Sequence, residues 1–155
     1  SGEGSHRLQL LQAALSEAGI DNRLSADIRT DLWRNWAFNC AFEGLTALTR
    51  HPLGEVAAHE SLLSAFTQVL AECVQLARSR SNLLEGRHIG ELLDHLRSLP
   101  AELRSTMARD VAAGRPLELE ALNGLAVRRG AAHGLAMTAN QVIHAGLSPF
   151  EGGVD

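Results

Sequence analysis

Leu32-Trp33-Arg34-Asn35-Trp36-Ala37-Phe38-Asn39-Cys40 decides how this chain is read. Set on a helix, Trp33, Trp36, Phe38 and Cys40, with Phe42, Leu45 and Leu48 beyond, spread over most of the circumference. A helix apolar nearly all round is a buried central one. Yet Asn35, Asn39 and Glu43 recur every fourth residue and form one narrow stripe roughly 12 Å long. A buried polar group without a partner costs about 1–3 kcal/mol. The stripe therefore either bonds neighbouring helices or lines a cleft and faces a ligand.

Outward from that segment the pattern stays helical. Ser25 is the expected cap of this long helix, which runs to about Thr49 and ends before Pro52. Upstream, residues 5–18 set Leu8, Leu11, Leu15 and Ala18 on one stripe, with Ser5 as cap and Gly19 as stop. Downstream, Leu62, Phe66, Val69, Leu70, Cys73 and Ala77 mark a helix over 59–80. Shorter helices are expected over 88–97, 102–113 (closed by Gly114), 116–133 (with Pro116 in its first position) and 138–147. The tail after Ser148 is expected to fray. No strand alternation or repeat is visible, so the fold class is all-α, with six or seven helices.

Composition narrows the function. The 155 residues, 45% of them hydrophobic, suit one domain with a substantial core. There is no lysine: all 14 basic residues are arginines. The net charge of −4 comes from scattered signs with no basic stripe, which argues against a nucleic-acid partner. No run of 18 apolar residues or signal peptide is present, which argues against a membrane and makes a cytoplasmic protein the default. Cys40 and Cys73 sit inside helical patterns as small core residues, and the seven histidines have no paired metal-ligand spacing. No metal site is expected. No glycine-rich strand-to-helix turn for a dinucleotide exists in these residues.

A second segment adds chemistry: Ser105-Thr106-Met107-Ala108-Arg109-Asp110, then Gly114-Arg115-Pro116-Leu117-Glu118-Leu119-Glu120-Ala121-Leu122-Asn123-Gly124. On spacing alone, Glu118 and Glu120 complement a helix dipole after Pro116. Thr106, in mid-helix, would bond back to a carbonyl. Gly124 costs about 1 kcal/mol against Ala inside a helix, which suggests close approach of another backbone.

The two segments together resemble the C-terminal domain of the ketopantoate reductase (2-dehydropantoate 2-reductase) family, within the 6-phosphogluconate dehydrogenase-like folds. That family carries Leu-Trp-x-Lys-x-x-x-Asn followed by Leu-Thr-Ala; here it reads Leu32-Trp33-Arg34-Asn35-Trp36-Ala37-Phe38-Asn39, then Leu45-Thr46-Ala47. Its Ser-Met-x-x-Asp, Gly-Arg, Glu and Asn-Gly stretch is matched by Thr106-Met107, Asp110, Gly114-Arg115, Glu118 and Asn123-Gly124. Arg128-Arg129, His133-Gly134 and Asn140 continue the likeness.

The resemblance implies a helical domain that closes over an N-terminal Rossmann domain holding NADP, with a keto acid in the cleft between them. Residues 1–4 would then be a remnant of that nucleotide-binding domain or a linker, 5–148 the substrate domain and 149–155 a tail. It implies that Asn39 and Glu118 orient substrate and that Thr106, replacing a serine, holds its carboxylate. Asn35 stands where the family has its proton-donating lysine, and Glu43 where a second asparagine is usual. An asparagine amide donates a hydrogen bond but gives up no proton near neutral pH. A carboxylate at 43 repels a keto acid's carboxylate.

Two expectations follow. Either the full-length parent is a reductase with altered chemistry, Glu43 or Glu118 supplying the proton, or catalysis has been lost and the helical domain serves dimerisation or ligand sensing. Apart from its Rossmann partner, the domain could also pair with itself through an exposed apolar face.

Overall fold

The computed structural model describes residues 6–81 and 83–153. Among these are eight α-helices, two single 3-10 turns and no strand, the expected all-α class. The helices are α1 (His6–Glu17), α2 (Ile28–Thr49), α3 (Leu53–Ala58), α4 (Glu60–Ser81), α5 (Arg87–Ser98), α6 (Thr106–Ala112), α7 (Asn123–Ala132) and α8 (Thr138–Leu147). None of them is long and apolar enough to cross a membrane. The chain separates into two compact units, Ser1–Leu32 and Trp33–Asp155.

In the first unit, α1 ends as its sequence predicts. Gly19 takes φ +72°, its N–H donates to the Ser16 carbonyl (3.0 Å) and the Ile20 N–H to the Leu15 carbonyl (2.9 Å). This paired closure satisfies carbonyls that the last turn leaves open. The proposed cap Ser5 lies outside the described residues. The start of α2 differs from expectation: Asp27, not Ser25, is the cap. The Thr30 N–H donates to Asp27 Oδ1 (3.2 Å) and the Thr30 hydroxyl to Oδ2 (2.7 Å). Those bonds, the hydroxyl's first, hold the Asp27 carboxyl below its ordinary range. Ser25 instead donates its hydroxyl hydrogen to Asp31 Oδ2 (2.7 Å).

The second unit is organised around α2. From Ala37 to Ala47 every residue is buried except Asn39 and Glu43. Phe38 packs against Phe42 (centroids 5.9 Å apart), Phe66 (5.7 Å) and His95 (4.9 Å). From α4, Phe66, Val69, Leu70 and Cys73 join the same core at 0% exposure. Full burial of side chains of this size contributes about 1.5–3 kcal/mol each. Gly44 lets α2 meet α7 and α8 closely. A Cβ there would lie 2.8 Å from both Asn123 Oδ1 and Ile143 Cγ2.

Cys40 and Cys73 are free and buried, the small core residues expected. Burial, and then the neighbouring Cys73 thiol, push the Cys40 thiol well above its usual value.

A polar network crosses this interior. Glu72 of α4, 3% exposed, accepts the Ala139 N–H on Oε1 (2.8 Å). Its Oε2 accepts the Asn140 N–H (3.1 Å) and the Asn140 side-chain amide (2.8 Å). It therefore caps α8 from outside, where Met137 offers no side-chain cap. The Asn123 amide donates to Asn140 Oδ1 (3.0 Å) and to the Cys40 carbonyl (3.1 Å), linking α7 to α8 and α2.

Three other expectations are corrected. The helix count rises to eight because the link after α2 holds the six-residue α3, entered from Pro52; α2 itself closes on Arg50 at φ +63°. The helix expected over 116–133 begins only at Asn123, and Leu119–Ala121 is a 3-10 turn. Leu117 and Leu119 are both buried, an in-out-in alternation that a helix at 116–120 would not allow. The segment after Ser148 is ordered through Gly153. Ser148–Phe150 forms a 3-10 turn, Phe150 packs on the main core, and the Leu117 N–H donates to the Glu151 carbonyl (2.9 Å).

Candidate functional site

The two interruptions in the buried run of α2 open into one pocket. Asn39 and Glu43 line it with Thr106, Met107 and Asp110 of α6 and with Glu118 and Leu122 from the link to α7. Its volume is about 150 Å³. Four of the five residues singled out by sequence meet there. Asn35, exposed and one turn earlier on the same stripe, is not among the lining residues.

Each wall has a local cause. α6 has only seven residues, too few to persist without help. Ser105 is its cap, with extended backbone, and its Oγ accepts the Ala108 N–H (3.0 Å). Glu43 Oε2 accepts the Met107 N–H (2.7 Å). The Thr46 hydroxyl lies 2.7 Å from the Ser105 hydroxyl, so two positions of α2 pin the first turn of α6. Thr106 is thus the first residue of α6 and not the mid-helix threonine expected. Its Oγ1 accepts from Arg109 Nη2 (3.2 Å), which leaves its own hydroxyl hydrogen available.

Beyond α6, Gly114 at φ +65° turns the chain. The Arg115 N–H donates to the Asp110 carbonyl (2.9 Å), and Arg115 Nε to Asp110 Oδ1 (2.7 Å). Asp110 is thereby fixed from both backbone and side chain. The buried Leu117 and Leu119 flank Glu118 and turn it outward, and Trp36 Nε1 donates to the Ala121 carbonyl (3.2 Å), holding the link against α2. Among the described residues the side chains of Asn39 and Glu118 have no hydrogen bond or ion pair.

The helix-dipole reading of Glu118 and Glu120 fails, because no α-helix starts at Pro116. Glu120 instead pairs with Arg128 and His144. The close neighbour of Gly124 is the Glu120 carboxylate, not a second backbone: a Cβ there would lie 2.7 Å from Oε2.

Sequence reasoning did not single out Ser105, Met107, Asp110 and Leu122 as site residues. The first carries a usable signal, a serine immediately before the helix. Met107 and Leu122 contribute through position alone. Glu72 was missed too, although a lone acid in the run Val69-Leu70-Ala71-Glu72-Cys73-Val74 implies a buried partner.

The described residues thus form an all-α domain with a polar pocket between a central helix and a short capped one, and with no strand. Comparison with known proteins gives the family. Residues 27–151 match the family described as ketopantoate reductase PanE/ApbA, C terminal, and the chain belongs to that family. It is 32% identical over 136 residues to a 2-dehydropantoate 2-reductase of Caulobacter vibrioides, covering 88% of this chain and 46% of that protein. It is 30% identical over 144 residues to the 2-dehydropantoate 2-reductase of Escherichia coli O157:H7, covering 90% and 44%. A crystal structure of a PanE/ApbA family ketopantoate reductase from Ralstonia eutropha superposes with a TM-score of 0.81 at 32% identity, over 92% of this chain and 48% of that one. The chain thus spans about half the length of the relatives it matches.

Proposed function

We propose that this chain is the substrate-side wall of an NADP-dependent reductase that transfers hydride to a 2-keto acid or a related carbonyl. One observation carries the reading: the buried run of α2 opens only at Asn39 and Glu43, and both openings share a pocket with Thr106 and Glu118. The family resemblance implies substrate contacts at these positions. A satisfied structural stripe would have closed on neighbouring helices. Here Asn39 and Glu118 keep their hydrogen-bonding groups free among the described residues.

The described residues contain no strand and glycine turn to cradle a dinucleotide, so an upstream Rossmann domain would hold NADP and close the pocket. When bound there, NADP in its reduced form supplies the hydride. The roles of this chain's own residues follow from what each has free. Asn39 donates its amide to a substrate oxygen, and the Thr106 hydroxyl donates to another. Glu43 has one oxygen committed to Met107. Glu118 is exposed and uncommitted, so of the two carboxyls it is the one free to relay a proton from water to the carbonyl oxygen. Asn35, about 6 Å back along α2, extends the donor stripe beyond the pocket. Its amide can polarise a carbonyl without protonating it.

The test is NADPH oxidation by the full-length protein with a panel of 2-keto acids and hydroxyketones. Turnover of at least one is expected, and Glu118→Gln should lower kcat about 10²–10⁴-fold while the folding midpoint stays in place. No oxidation with any of them would support the other reading, a reductase-like domain kept for dimerisation or ligand sensing.

A further inference from the structure

We propose that Glu43 is the specificity-determining residue of this pocket, and that it selects a small carbonyl compound whose neighbouring group is a hydrogen-bond donor, such as a hydroxyl, over one bearing a carboxylate. This rests on the reductase reading above and deepens it.

Three features of the site lead there. First, the Glu43 carboxylate is oriented in the pocket by the Met107 N–H of α6, which donates to Oε2 at 2.7 Å. Among the described residues Oε1 has no partner, and Glu43 lines the pocket. The pocket therefore contains an oriented acceptor with one oxygen unused. Second, no cation lines the pocket to offset it. Of the two arginines bonded to its walls, Arg115 is paired with the Asp110 carboxylate at 2.7 Å, and Arg109 donates to the Thr106 hydroxyl at 3.2 Å without itself lining the pocket. Third, the pocket is small, about 150 Å³, and Glu43 shares its lining with Asn39 and Thr106. A carbonyl compound seated against Asn39 and Thr106 therefore lies beside Glu43.

Beside Glu43 a substrate carboxylate meets a like charge, whereas a hydroxyl or amide N–H meets an unused acceptor. Like charges a few ångströms apart in a partly buried site disfavour binding by about tenfold or more.

The experiment uses the full-length protein and three probes with the same carbon skeleton: hydroxyacetone, pyruvamide and pyruvate. Binding of each is measured in the presence of NADP, and turnover of each with NADPH, in the wild type and in Glu43→Gln. Glutamine keeps the length and can still accept the Met107 N–H, but presents an amide donor in place of a charge. We expect the wild type to bind hydroxyacetone at least about tenfold more tightly than pyruvate, with pyruvamide between. Glu43→Gln should reverse that order, the change lying in Kd and KM more than in kcat. Equal binding of the three probes by the wild type, tighter binding of pyruvate, no binding of hydroxyacetone, or an order unchanged in Glu43→Gln would each overturn the assignment. Turnover separates this from the function itself: the expected binding order without NADPH oxidation would sink the reductase reading and leave the specificity of the pocket standing. Turnover without the expected order would do the reverse.

Discussion

Glu43 and Glu72 do the same job in two places, and what differs is how much of each carboxylate is left over. Each belongs to a long helix and caps a shorter one that cannot cap itself fully: Glu43 reaches from α2 to the Met107 N–H of α6, and Glu72 from α4 to the Ala139 and Asn140 N–H groups of α8. Glu72 is 3% exposed, and each of its oxygens accepts two hydrogen bonds, Oε1 from Ala139 and Gln68 and Oε2 twice from Asn140. Glu43 is half-buried, and only one oxygen is consumed. A polar group in a core serves structure when its bonding capacity is exhausted internally and becomes available for function when some is withheld. The inner network, Glu72–Asn140–Asn123–Cys40, and the outer pocket, Asn39–Glu43–Thr106–Glu118, adjoin on α2, where Asn39 and Cys40 are consecutive.

The strongest way to break this comparison is at Glu72. Glu72→Ala leaves two backbone N–H groups and the Asn140 side-chain amide without their acceptor. At about 1–3 kcal/mol for each unsatisfied buried donor, partly relieved by an entering water, the loss should be about 3–5 kcal/mol. Glu72→Gln keeps one acceptor oxygen and should cost about half of that. The urea midpoint of each variant measures the difference. A loss below about 1 kcal/mol for Glu72→Ala would show that the inner network is not the structural member of the pair.

A second, smaller effect sharpens the comparison through pH. Cys40, on the inner side of α2, has its thiol raised in the folded state by burial and by Cys73. The stabilising contribution of a raised group is fully present below its unfolded value and is lost as pH rises towards the folded one. Between about pH 8.5, where an unfolded thiol titrates, and higher pH, stability should therefore fall by up to about 1.4 kcal/mol per pH unit. In Cys40→Ala that part of the slope should vanish. Urea midpoints from pH 7 to 10 for the two proteins give the answer, and identical slopes would mean that the thiol is not sealed from water.

The same contrast explains what could be read in the sequence. The α2 stripe was legible because its polar positions repeat at helical spacing inside an otherwise apolar segment. The ends of α1 and α7 were legible because Gly19 and Gly134, both at positive φ, follow the last periodic residue. The link from Gly114 to Leu122 was not. Pro116 followed by glutamates reads as a helix start, but the conformation is decided by the burial of Leu117 and Leu119 and by a hydrogen bond to Glu151, more than thirty residues away in sequence. The tail looked free for the same reason: its partner is Leu117, and no local pattern announces it. In the site, helical spacing picked out Asn39 and Glu43, and the family resemblance picked out Thr106 and Glu118. They could not say that Glu43 is half-committed to α6, because that bond depends on where a seven-residue helix begins.

The smallest expected effect is the stability cost of removing Glu43. Glu43→Ala loses one cap bond to α6, while Ser105 continues to accept the Ala108 N–H and to face Thr46, so the first turn keeps its other anchor. Loss of a single capping interaction costs about 0.5–2 kcal/mol, and here the freed Met107 N–H opens onto the pocket, where water can replace the carboxylate. About 1 kcal/mol is therefore expected for Glu43→Ala, and less than about 0.5 kcal/mol for Glu43→Gln, whose amide oxygen can take the same N–H. Urea midpoints measured beside the Glu72 variants give the ratio directly. A cost for Glu43→Ala equal to that of Glu72→Ala would mean that Glu43 is as structural as its counterpart, because the only physical ground for separating them is that one carboxylate has water on its far side and the other does not.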